Sequence, residues 1–191
     1  MSEHHAIGRL LYEVAINAGL PLHVWGAAMM YFHAFDEYTL DHPLKERVNR
    51  LMAGITCLAL SVKANESYLV SRGSPLNPVH RLVSLLDAAA RVVLAYTTTQ
   101  ASSEKMVDTK KRLKEFIPIV ELAVMRVVGN SLVPETAFQD NLSIDEKTAT
   151  ILVEIYSSPI CLNFPASDIV AFVLGERDNE RIRKVVGHFF T

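Results

Sequence analysis

The sequence predicts an all-α protein. Apolar residues recur at helical spacing along most of the chain, strand-like alternation is scarce, and Gly or Pro stands where the apolar runs begin and end. The clearest case follows Pro21, a residue suited to a first helical turn. Val24, Ala27, Ala28, Tyr31, Phe32 and Phe35 then fall at i, i+3, i+4, i+7, i+8 and i+11. Before it, Ile7, Leu10, Leu11, Val14 and Ala18 share one face of a first helix that Gly19 ends. A third helix is expected from Pro43 to about Lys63, and its Leu51 to Val62 half is apolar nearly all round. A fourth starts near Pro78 with Val79, Leu82, Val83, Leu86, Ala89, Ala90 and Val93 at helical spacing. A fifth runs from about Met106 to Val128 and ends at Gly129, with a kink or a fresh start expected at Pro118. Apolar composition on most sides predicts that the third and fifth helices are the most buried.

After Gly129 the pattern shortens. Ser143 and Glu146 have the spacing of a capping box opening a helix with Ala149, Leu152, Val153 and Tyr156 inward. Pro165 and Asp168 open another that stops at Gly175, and Ile182, Val185, Val186 and Phe189 mark the last. No short helical repeat recurs, which disfavours a solenoid. The chain divides into residues 1–130 and a smaller helical lobe, 131–191.

Composition excludes several classes. At 191 residues the chain can bury about 70% of the surface its unfolded form exposes, and its half-apolar, 21% charged content excludes a disordered tail. No apolar run reaches the ~18–20 residues of a membrane span. The first residues, Met1 to His5, lack a basic-then-apolar signal, so an unsecreted, intracellular chain is expected. Cys57 and Cys161 lie inside apolar segments and read as reduced core thiols. A net charge of −2 argues against nucleic-acid affinity driven by bulk charge.

No catalytic constellation is visible. The sequence has no phosphate-cradling glycine loop, no HExxH and no GxSxG. His33, Asp36 and Glu37 would share a helix face, but with no second ligand cluster they read as a helix end. Lys110, Lys111, Arg112 and Lys114 read as a solvated face. The sequence therefore predicts no enzyme, no metal and no cofactor.

Three stretches carry a family resemblance. Ala27-Ala28-Met29-Met30-Tyr31-Phe32-His33-Ala34-Phe35 resembles the second helix of a cyclin box. Thr56-Cys57-Leu58-Ala59-Leu60-Ser61-Val62-Lys63-Ala64-Asn65-Glu66 resembles its third helix, and Val120-Glu121-Leu122-Ala123-Val124-Met125-Arg126-Val127-Val128 its fifth. The entry from Gly8 to Pro21 is most similar to transcription-type cyclins such as cyclins Q, K, C and L. The likeness covers residues 7–130 and continues faintly at Tyr156 to Leu162 and Pro165 to Ala171. Asn65 departs from the pattern, since the family has glutamate there. The segment between Glu66 and Glu121 is longer than usual, and the second box is too short for five helices.

The resemblance implies a cyclin-box bundle with a shortened second cyclin-like repeat. It implies a regulatory subunit that binds a cyclin-dependent protein kinase and positions the kinase's mobile helix, in the nucleus and cytoplasm. Lys63 and Glu121 would face the kinase, with Glu66 beside them, and the two charges should meet on the surface of the first lobe. Two plainer readings stay open: Lys63 as a cation at a helix C-terminus, and Glu121 as an acid in the turn after Pro118. Two other functions also stay open. One is a cyclin-box scaffold that binds a partner without activating a kinase, and the other is an adaptor of the general-transcription-factor type. No membrane and no direct nucleic-acid contact are expected.

Overall fold

The computed structural model describes residues 3–42, 48–66, 78–97, 102–129, 134–138 and 145–187, and every regular element among them is helical. The α-helices are α1 (Glu3–Asn17), α2 (Leu22–Asp41), α3 (Arg50–Ala64), α4 (Pro78–Thr97), α5 (Ser103–Val128), α6 (Glu146–Tyr156), α7 (Ala166–Val173) and α8 (Glu180–Val186). A short 3₁₀ turn, Pro159–Asn163, joins α6 to α7.

Local chemistry sets the ends. The α1 helix stops where Gly19 takes φ +68°, which lets Leu20 N–H reach the Ala15 carbonyl and Gly19 N–H reach that of Ile16. Gly129 ends α5 at φ +65°, a conformation that side chains disfavour. The third helix begins later than Pro43: Asn49 is its cap and accepts from Met52 N–H at 3.1 Å. Pro43 itself lies outside the described residues. Ser102 caps α5, whose first residue, Ser103, comes three before the expected Met106, and the helix runs unbroken through Pro118, with no fresh start there. The capping box also differs. Asp145 caps α6 by accepting from Thr148 N–H at 2.7 Å, so Glu146 is the first helical residue and not the third. Ser143 and Phe189 lie outside the described residues.

Helices α2 and α3 form an antiparallel pair, pinned at both ends. At one end Asp36 accepts two hydrogen bonds from Arg50, each at 2.7 Å. At the other, the Ser61 hydroxyl donates to the Val24 carbonyl at 2.7 Å. Helices α4 and α5 pair the same way, tied by Lys110 and Asp87 at 2.5 Å. Helix α1 lies across α3 and α4, and Gly54 admits Leu11 where a methyl group would collide with it.

One apolar core runs from Ile7 to Val186 and includes residues of the later helices. At its centre Trp25 meets Tyr12, Phe138 and Tyr156 edge-on, with ring centres 5.5, 5.9 and 6.4 Å away. His33 Nε2 donates to the Tyr156 carbonyl at 2.9 Å, which joins α2 to α6. Arg9 on α1 donates to the buried Glu154 on α6, and Gly8 packs directly on Ser157. Cys57 and Cys161 are free and buried, and burial pushes the Cys161 thiol up to about 12.

Candidate partner-binding surface

Lys63 occupies the last turn of α3, where a cation complements the helix dipole. The end of that helix is held firmly. Asn65 is its cap residue, is buried, and donates through Nδ2 to the Ser61 carbonyl at 2.9 Å. The Asn65 side chain thus serves the fold here. Because Ser61 is itself bonded to α2, the base of Lys63 is fixed against two helices.

Glu121 comes from α5, 58 residues away in sequence, and meets Lys63 in a two-pronged contact at 2.6 and 2.8 Å. The pair is unequal in depth. The Glu121 side chain is 14% exposed and that of Lys63 is 45% exposed. An ammonium has three donors and a carboxylate about four acceptor positions, so the contact leaves capacity on both groups. Glu66 stands just beyond Asn65, half-buried, and takes no part in this contact.

The surroundings of Glu121 correct the expectation that α5 is buried on most sides. Leu113, Ile117, Val120 and Val124 face the core, but Ile119 is 71% exposed, Leu122 64% and Met125 38%. By contrast every residue of α3 from Ala53 to Val62 is buried. The physical difference is the number of neighbours. Among the described residues, helix α3 has α1, α2, α4 and α5 around it, whereas α5 packs chiefly on α2, α3 and α4, with Leu113, Ile117, Val120 and Val124 buried. An apolar face without a neighbour stays in water. The sequence did carry a signal for this stripe, namely an apolar face opposite the core face, but composition alone assigns both faces to the interior.

The remaining candidates separate. Asp36 is taken up by Arg50, His33 faces α6, and Glu37 is exposed. Among the described residues no three His, Cys, Asp or Glu side chains come together as a metal site. Within the basic run, Lys110 pairs with Asp87 and Arg112 with Asp108, while Lys111 and Lys114 stand exposed.

A pocket of about 150 Å³ opens beside Lys63, between α3, α4 and α5. Leu82, Leu85, Leu86, Ile117 and Pro118 form its wall, with Lys114 at the rim. No reading of the sequence anticipated it, since its lining comes from three separate helices. No helix among the described residues is long and apolar enough to cross a membrane. Comparison with family models, with curated proteins and with solved structures finds no match.

Proposed function

We propose that this chain is a cyclin-like regulatory subunit that binds and activates a cyclin-dependent protein kinase. The observation that carries the reading is the Lys63–Glu121 contact: two residues singled out by the resemblance, far apart in sequence, meet at a helix-helix seam near the surface. Their spare donor and acceptor capacity suits a partner's backbone carbonyl and N–H groups. An ion pair among apolar neighbours is favourable at an interface only when its remaining hydrogen bonds are also made.

Of the exposed apolar residues of α5, Met125 stands one turn from Glu121 and supplies apolar area that a partner would bury. A partner helix placed there is held by the apolar area and oriented by the two charges. Activation then requires only that this surface bind the kinase's active helix position more tightly than the inactive one. The chemistry of phosphate transfer belongs to the kinase, whose own Lys–Glu pair is assembled by that shift. A second reading, binding without activation, draws support from the shortness of α7 (Ala166–Val173) and α8 (Glu180–Val186). These leave little helical surface beyond the first lobe.

Affinity capture on the full chain, followed by assay of the captured kinase with and without the chain, tests the proposal. Retention of a cyclin-dependent kinase whose activity rises with added chain is the expected result. Retention without a rise selects the scaffold reading. Equal retention by wild type, Lys63→Ala and Glu121→Ala overturns the role given to the ion pair.

A further inference from the structure

The pocket between α3, α4 and α5 has an unusual charge balance. Along α5, Lys110, Lys114, Ile117 and Glu121 follow one another on a single face at steps of three or four, with Pro118 beside Ile117. Lys110 is neutralised by Asp87 of α4, and Glu121 is neutralised by Lys63 of α3. Each pair ties α5 to a neighbouring helix, one on either side of the pocket along α5. Between them Lys114 lines the rim, exposed, with no carboxylate against it among the described residues. Lys63 lines the pocket too, but its ammonium is already held by Glu121, and the rest of the wall is apolar.

Pro118 adds a second feature. It has no N–H, so the Lys114 carbonyl one turn earlier lacks its helical donor. That acceptor lies between two residues that both line the pocket.

We propose that this pocket docks a short segment of a partner protein that presents one aliphatic or aromatic side chain with a carboxylate close beside it. The apolar side chain fills the space against Leu82, Leu86 and Ile117. The carboxylate pairs with Lys114, and an N–H of the segment reaches the Lys114 carbonyl. Charge complementarity selects the occupant: a basic segment would meet the uncompensated ammonium, and a purely apolar one would leave it unpaired. The inference holds whether or not the partner at Lys63–Glu121 is a kinase: Lys63 belongs to both places, but Lys114 and the α4 leucines enter only here.

The probe is a synthetic peptide in a Ser/Gln background with one Leu flanked by Glu, titrated to roughly 1 mM, where even weak binding registers. Methyl resonances of Leu82, Leu86 and Ile117 in the full-length protein report occupancy. These resonances should move with the Glu-Leu peptide, and far less with peptides carrying Lys for Glu or Ser for Leu. Lys114→Glu should weaken the acidic peptide about tenfold and favour the basic one, whereas Lys111→Glu, off the pocket, should change little. Leu82→Trp should fill the space and abolish the shifts. Should that variant fail to fold, the Lys114→Glu result still decides. Absence of methyl shifts with wild type, equal effects of the two lysine reversals, or octanoate matching the peptide would overturn the proposal, the last in favour of a small amphiphile.

Discussion

Removing either member of the Lys63–Glu121 pair should destabilise the fold unequally, and the inequality follows from their depths. Lys63→Ala leaves a carboxylate whose side chain is 14% exposed without its cation. A largely buried acceptor stripped of its partner costs about 1–3 kcal/mol. Glu121→Ala leaves an ammonium that is 45% exposed and free to turn into water, so its cost should stay within about 1 kcal/mol, the range of surface pairs. The double variant should resemble Glu121→Ala, since no lone carboxylate remains. Urea unfolding of the four proteins, followed by circular dichroism, measures all three differences. A greater loss for Glu121→Ala than for Lys63→Ala would refute the reasoning. Partner binding should respond far more than stability: truncating one member of a desolvated charged contact costs about 2–5 kcal/mol, roughly 30-fold to several thousand-fold in affinity. Wild-type affinity of both variants for the proposed kinase partner would remove the pair from the proposed interface.

Three other outcomes are expected. Gly8→Ala should cost about 1–3 kcal/mol, because its methyl group would sit 2.9 Å from the Ser157 Cα, whereas Gly54→Ala meets the side chain of the buried Leu11 but no backbone atom and should cost less; equal melting of the two variants would contradict this. Arg81→Met should raise stability by about 1–3 kcal/mol in urea titration, since Arg81 is 3% exposed and none of its guanidinium nitrogens has a hydrogen-bond partner among the described residues; a loss of stability would show that the charge is held by something else. The cap of α6 should weaken in acid. The hydrogen bonds from Thr148 hold the Asp145 carboxyl below its usual range, so its contribution is complete above that range and is lost as pH falls through the lowered value. Asp145→Asn should remove this step from a pH-dependent melting series, and an unchanged series would contradict it.

The amino-acid sequence by itself determined the helices and most of their inner faces, although Val79 and Val83, in the periodic apolar series of the fourth helix, are exposed. Val24, Ala28, Tyr31, Phe32 and Phe35, placed on one face by periodicity, are all buried, and Gly19 and Gly129 end helices at positive φ as their positions suggested. Such features are legible because helix periodicity and capping depend on residues within one or two turns of each other. Starts were less legible, since Asn49 and Asp145 cap as well as the signals favoured upstream. Tertiary structure alone decided the surface. Two apolar faces of α5 look alike in sequence, but only the one that meets α2, α3 and α4 is covered, and Ile119, Leu122 and Met125 remain in water. The resemblance paired Lys63 with Glu121, yet their contact, their unequal depths and the pocket beside them arise where three helices converge. Local sequence says which residues can share a helix face; which neighbour covers that face is set by packing between distant segments.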